Sequence, residues 1–356
     1  MRAKALILLL ALTGTAFAQG FADMAADVSG FATPDPKATL TFPADHAAHP
    51  DFRIEWWYLT ATLKGTDGAE YGVQWTLFRT AIAPGEGDGW QSPQLWMGHA
   101  AATTGTAHHV AERLARGGTG QAGVSLGPPF QAWIDDWQML SQAAPGADPL
   151  SHLRLLARDT DFAYDLDLAA QGPLILHGAQ GYSVKSAAGQ ASHYYSQPFY
   201  TVTGQLDLPE GPVQVTGQAW LDREWSSQPL AADQTGWDWF SLAFDSGERL
   251  MGFRLRDAGG GDAGEGFVSG TWIAADGTAT PLPPGALAVE PLQTHSVAGR
   301  EVPVGWRLTL PDRALDVTIS ALNPDAWMAT SIPYWEGPIT IKGSHTGRGY
   351  LEMTGY

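Results

Sequence analysis

Thr216-Gly217-Gln218-Ala219-Trp220-Leu221-Asp222 returns near the end of the chain as Thr346-Gly347-Arg348-Gly349-Tyr350-Leu351-Glu352. Each copy reads as a β-strand: alternate residues of an extended chain face opposite sides, and both segments close on an aromatic, an aliphatic and a carboxylate. The first copy continues into Arg223-Glu224-Trp225, whereas the second runs on into Met353-Thr354-Gly355-Tyr356. A repeat so widely spaced points to two copies of one β architecture. Upstream, Glu55-Trp56-Trp57-Tyr58-Leu59-Thr60-Ala61-Thr62-Leu63 and Tyr71-Gly72-Val73-Gln74-Trp75-Thr76-Leu77-Phe78-Arg79 flank a Gly-containing turn as a hairpin. Trp57, Leu59, Ala61 and Leu63 fall on one face of its first strand. Downstream, Trp237 to Phe244 and Leu250 to Arg256 repeat that hairpin around Asp245-Ser246-Gly247-Glu248.

Between these ends lie short apolar runs punctuated by turns, at Leu153 to Leu156, Phe162 to Leu168, Leu174 to Leu176, Val213 to Thr216, Trp306 to Leu310 and Leu315 to Ile319. Helical periodicity is weak, and Gln131 to Leu140, with Trp133, Ile134 and Trp137 on one face, is the one helical candidate. The expectation is an all-β chain of antiparallel barrels or sandwiches; two barrels of roughly eight to ten strands would each enclose a cavity. Fifteen tryptophans exceed what packing needs, so aromatic faces line a cavity or the core is unusually aromatic.

The first eighteen residues read as a secretory signal: Arg2 and Lys4, an apolar run from Ala5 to Leu12, and Ala16-Phe17-Ala18 before Gln19. Cleavage near Ala18-Gln19 predicts a periplasmic or secreted protein. Residues 19–50, with Pro34, Pro36, Pro43 and Pro50, read as an extended leader; 51–228 and 229–356 read as N-terminal and C-terminal domains. No later apolar run approaches the length of a bilayer span, so stable membrane insertion is not expected. The absence of cysteine excludes thiol catalysis and disulfides, and a net charge of -17 without Lys/Arg clusters makes nucleic acid a poor partner.

Ten histidines show no HExxH spacing and no cluster, so no metal is expected. Gly259-Gly260-Gly261 is not followed by Lys-Ser or Lys-Thr, so no phosphate loop is indicated, and no cofactor is expected. Asp135-Asp136 beside Trp133 and Trp137 would suit a sugar but reads better as a solvated turn. The remaining constellation is His193-Tyr194-Tyr195-Ser196 with Trp220-Leu221-Asp222-Arg223-Glu224-Trp225, which read as neighbouring strands and would let His193 approach Asp222. Loss of water around an acid in an aromatic pocket disfavours its charged form. Such an acid can protonate even an alkene carbon if aromatic faces stabilise the cation. The other reading pairs Asp222 with Arg223 or Arg254 as a salt bridge and leaves His193 merely packed.

At these residues the chain resembles the carotenoid 1,2-hydratase and AttH-like family of tandem lipocalin-like (calycin) proteins. The motifs that carry the resemblance are Glu55-Trp56-Trp57-Tyr58, Trp75-Thr76-Leu77-Phe78-Arg79, Tyr194-Tyr195-Ser196, Trp220 to Trp225, Gly236-Trp237-Asp238-Trp239-Phe240 and Gly349 to Tyr356. The resemblance implies two tandem lipocalin-like antiparallel β-barrels with an interior or interface pocket for an apolar ligand. It implies Asp222 as the acid that protonates an isoprenoid double bond and His193 as its support. Trp220 and Tyr195 fall at the family's aromatic positions with different aromatics, and Tyr194, Trp225, Trp57 and Trp239 complete the expected ligand site. The expected activity is a cofactor-free hydro-lyase; the alternative is a non-catalytic periplasmic lipid carrier serving an ABC transport system.

Overall fold

The structure is a computed structural model and describes residues 28–228, 230–231, 233–257 and 266–356. The secretory signal, the start of the leader and the Gly259-Gly260-Gly261 loop fall outside the described residues. The first half contributes β1 (Ile54–Gly65), β2 (Glu70–Ala81), β3 (Gln94–Thr103), β4 (His108–Arg116), β5 (Ala122–Ser125), β6 (Gln131–Ile134) and β7 (Trp137–Ser141). It continues with β8 (His152–Arg158), β9 (Ala163–Ala170), β10 (Ile175–Leu176), β11 (Tyr182–Val184), β12 (Ala191–Leu208) and β13 (Gly211–Ser226). The second half supplies β14 (Gln234–Phe244), β15 (Arg249–Asp257), β16 (Gly266–Ile273), β17 (Ala279–Pro281) and β18 (Ala288–Val297). Last come β19 (Arg300–Leu310), β20 (Leu315–Ala321), β21 (Trp327–Met328), β22 (Tyr334–Gly343) and β23 (Gly347–Met353).

Two antiparallel sheets result. The first runs β4-β3-β2-β1-β13-β12-β9-β8-β7-β6-β5, with β10 and β11 added against β12; the second runs β17-β16-β15-β14-β23-β22-β20-β19-β18, with β21 on β22. The duplication read from the sequence is thus a duplication of topology: β1 lies between β2 and β13 as β14 lies between β15 and β23. The first sheet bends at the register shift between Gln197 and Tyr200 and curls until its ends approach. A Cβ at Gly98 of β3 would lie 2.6 Å from Ile134 of β6, so the barrel is nearly closed.

Period-two alternation fills the first barrel. Trp57 and Trp75 point inward, meet Trp137 and are fully buried. The barrel interior is therefore packed with side chains, which corrects the expectation of a cavity in each barrel. The leader corrects a second expectation, because it plugs one end of the barrel instead of merely extending. Ala44–His46 makes a short 3₁₀ turn, and buried His46 sets Nδ1 2.6 Å from the Tyr195 hydroxyl. The proposed helix at Gln131 to Leu140 is two strands around a turn at Asp135, whose φ is 51°. Ala132 and Ile134 of one strand and Trp137 and Met139 of the next are buried, so a hairpin imitates a helical spacing.

The second sheet wraps its own core of Phe240, Trp306 and Trp335. A third apolar cluster joins the two sheets through Tyr58, Tyr194, Trp220, Trp239, Phe253 and Tyr350. Close approach of the sheets depends on Gly72, where a Cβ would stand 2.5 Å from the Pro338 ring.

A candidate active site between the sheets

The inward set of each strand forms the barrel cores, so the outward set is left to face the other half. On the first sheet, cross-strand register aligns Ser196, Asp222 and Tyr58 in one row, and Tyr194, Glu224 and Trp56 in the next. On the second sheet the equivalent row is Glu336, Glu352 and Trp239. The rows meet: the Tyr58 hydroxyl donates to Glu336 Oε1 at 2.5 Å, and Trp239 Nε1 donates to the Tyr194 hydroxyl at 3.1 Å. Between them lies a cavity of about 1050 Å³, solvent at its mouth included. Trp56, Tyr58, Tyr194, Trp237, Trp239 and Phe253 give it aromatic walls, and Asp222, Glu224 and Glu352 supply carboxyls.

Asp222 is only 2% exposed. Trp220 Nε1 donates to its Oδ1 at 2.7 Å, and the Ser196 hydroxyl donates to the same oxygen. Among the described residues the neighbouring cations are engaged elsewhere: Arg223 pairs with Glu55, Arg254 with Asp238 and Lys185 with Glu224. The salt-bridge reading of Asp222 is therefore not what the fold builds. Burial pushes the carboxyl up to about 7, against the opposing hydrogen bonds of Ser196, Trp220 and Tyr194 and with help from the Glu224 charge. An indole N–H can only donate, so Oδ1 is an acceptor and the acid proton belongs to Oδ2.

Behind Ser196 stands a histidine that sequence reasoning did not nominate. His177 Nε2 lies 2.6 Å from Ser196 Oγ, and its Nδ1 lies 3.0 Å from Thr271 Oγ1 of the second sheet. Burial and then the Lys185 charge lower His177 to about 3, so the ring is neutral. With Ser196 donating to Asp222, Nε2 carries the hydrogen and Nδ1 accepts from Thr271. Lys185 reaches the same wall, 2.7 Å from Glu224 Oε1 and over the rings of Tyr194 and Phe253 at 4.7 and 4.3 Å.

Of the residues expected from sequence, Asp222, Tyr194 and Trp239 line the cavity, and Trp220 holds the Asp222 carboxyl. The other four lie on the opposite face of the same strands. His193 pairs with Trp225 across the strands and packs on Phe52, so it does not approach Asp222. Tyr195 contacts His46, Trp225 stacks on His49 at 3.9 Å, and Trp57 lies 3.7 Å beneath the Arg223 guanidinium. The reason is the side-chain period of two: in a strand where Tyr194 and Ser196 face the cavity, His193 and Tyr195 cannot. Glu352, which holds in the second copy of the repeat the place of Asp222 in the first, lines the same cavity.

The sequence profile of the AttH-like family matches residues 33–356. The chain belongs to the AttH-like family. A crystal structure of a Nitrosomonas europaea chain assigned as an AttH superposes with a TM-score of 0.79 at 32% identity, covering 92% of this chain and 99% of that one. Kievitone hydratase from Nectria haematococca shares the fold, with a TM-score of 0.68 at 16% identity over 91% of this chain and 98% of its own. No curated protein matches the chain. The fold is therefore the tandem lipocalin-like β fold of the AttH-like family.

In this AttH-like chain, the Ser196 hydroxyl stabilises the ionised form of Asp222. Ser196→Ala is expected to raise the Asp222 midpoint above its present value of about 7. Infrared titration of the protonated carboxyl band, with Asp222→Asn as the difference reference, checks it; an unchanged or lower midpoint contradicts the assignment.

Proposed function

We propose that this chain binds an apolar, isoprenoid-like ligand between its two sheets and hydrates a carbon–carbon double bond of it, with Asp222 as the proton donor. The observation that carries the reading is a buried carboxyl on the wall of an aromatic cavity, its midpoint pushed up to about 7 so that about half of it keeps its proton at neutral pH. The Asp222 proton forms the new C–H bond with the alkene π electrons. The faces of Trp56, Trp237, Trp239 and Tyr194 stabilise the resulting tertiary cation. A water oxygen closes the C–O bond and releases a proton. No cofactor is required. The name of the kievitone hydratase neighbour fits this chemistry, as does the family's hydratase branch.

The export signal read from the sequence supports a periplasmic or extracellular location, and the proposal includes no nucleic-acid partner and no stable membrane insertion. Purified protein incubated with acyclic carotenoids and shorter isoprenoid alkenes is expected to give a tertiary alcohol. Absence of alcohol from every alkene sinks the catalytic reading. The second reading, a lipid carrier working with ABC transporter components, is favoured by the predominance of apolar side chains around the cavity. Native mass spectrometry separates the two, since a carrier co-purifies with an apolar ligand that it returns unaltered.

A further inference from the structure

The row that faces Asp222 from the second sheet carries two carboxyls directly opposite each other on β22 and β23, Glu336 and Glu352. Like charges at such positions repel across about 5 Å, so two full charges here are costly unless cations intervene. The side chains acting on the pair are Trp237, the tyrosines Tyr58 and Tyr334, and the acids Asp222 and Glu224. Of the cations on the cavity wall, Lys185 is engaged with Glu224 and Arg79 with Glu55; neutral His99 meets Tyr334 at 2.9 Å. Glu336 is 1% exposed and its Oε2 has no hydrogen-bond partner, while Oε1 accepts from Tyr58. Glu352 stands on the cavity wall, its Oε1 accepting from Trp237 Nε1 at 3.0 Å. Burial first, and then mutual repulsion for Glu336 and the Asp222 charge for Glu352, push both carboxyls upward.

We infer that Glu336 and Glu352 are a second acid–base group of the same cavity, sharing one proton between them and taking the proton of the attacking water. Asp222 therefore has an opposite number, and the two are related by the duplication. The roles follow from structure. Asp222 is a lone neutral acid whose proton lies on Oδ2, suited to giving a proton to carbon. The glutamate pair has both an acceptor oxygen and a store for one more proton. In the step, which runs through the fraction of molecules in which Glu352, raised to about 8, is ionised, the water oxygen bonds to the cationic carbon, its proton passes to Glu352, and both glutamates become neutral. One proton then returns to the Asp222 carboxylate, and the net change is addition of one water.

This inference rests on the hydratase reading for its chemistry, but the shared proton is testable without it. Infrared titration of the wild type is expected to show two coupled carboxyl steps beside the Asp222 step, which Asp222→Asn removes. Glu336→Gln and Glu352→Gln should each show one, at a pH below the upper wild-type step. Steps that stay put in both variants overturn the pair. In D2O with an alkene that the wild type hydrates, Asp222→Asn should lose both deuterium incorporation into recovered alkene and alcohol formation. Glu352→Gln should keep incorporation and lose alcohol by about 10²–10⁴-fold. Alcohol at the wild-type rate, or loss of incorporation as well, overturns the general-base role. If the wild type gives neither product, the hydratase reading fails instead, and the titration alone decides the pair. Circular dichroism and unchanged affinity for an apolar fluorescent probe confirm that both variants are folded.

Discussion

Asp222→Asn is expected to lower alkene hydration by about 10²–10⁴-fold while leaving the protein folded and its cavity able to bind ligand. The amide keeps the shape of the carboxyl, and its oxygen can still accept from Ser196 and Trp220. What it lacks is the acid proton. The same substitution has a second, activity-independent signature. Asp222 rises from 3.8 to about 7 on folding. A group with a raised carboxyl pKa binds more protons folded than unfolded, so its contribution to stability falls as pH rises from about 4 to about 7 and is flat above that. Holding the charged form in the folded state costs about 4 kcal/mol by the conversion of 1.36 kcal/mol per pKa unit. Melting temperatures measured from pH 4 to 8 should decline less steeply for Asp222→Asn than for the wild type. Parallel profiles would show that the aspartate is solvated, and would remove its claim to be the proton donor.

Glu55→Ala is expected to be the most destabilising single change in this region, by about 3–5 kcal/mol, because it strands buried cations. Glu55 is fully buried. It accepts from Arg79 Nε at 2.5 Å, from Arg223 Nη2 at 3.3 Å, and from the His49 backbone N–H at 2.8 Å. Arg223 also donates to Trp56 O and Ala47 O, and Arg79 to His49 O and Phe52 O. The cluster thus ties the leader to β1, β2 and β13. Burial alone would raise the Glu55 carboxyl, but Arg79, the His49 hydrogen bond and Arg223 outweigh it and hold it well below the ordinary range. A depressed carboxyl stabilises above its unfolded pKa, and that stability is lost as pH falls below about 4.5. Glu55→Gln should therefore flatten the acid limb of the stability profile. Urea unfolding of both variants measures the loss; a change under about 1 kcal/mol for Glu55→Ala contradicts a structural ion cluster.

These two acids sit in the same strand system yet serve opposite ends, and sequence spacing could separate them only in part. Strand periodicity fixed that Trp57 and Glu55 share one face and Trp56 and Tyr58 the other. It did not say which face the ligand occupies. Large inward aromatics suggested a lined barrel; they turned out to fill it, and the smaller outward set built the cavity. His193 was nominated by proximity in sequence to Tyr194, and one residue is enough to reverse a strand side chain. His177 gave no signal at all, because its link to Asp222 passes through Ser196 on the neighbouring strand, and its other ring nitrogen meets Thr271 in the other half. Glu352 had a signal, the repeat itself, which aligns it with Asp222.

The sequence by itself determined that the chain is all-β, that its halves repeat one strand plan, and that Asp222 is an acid among aromatics. These properties are local: alternation, turn residues and an internal repeat act over neighbouring positions and survive without knowledge of the partner strand. Only the tertiary structure decided that the site lies between the sheets, that Arg223 and Arg254 turn to other carboxylates, and that Glu352 stands on the cavity wall with Glu336 beside it. Those depend on cross-strand register and on how closely two outer faces meet, set by residues such as Gly72 and Pro338 that are far apart in the chain. Desolvation, which makes Asp222 an acid near neutrality, exists only once both faces are brought together.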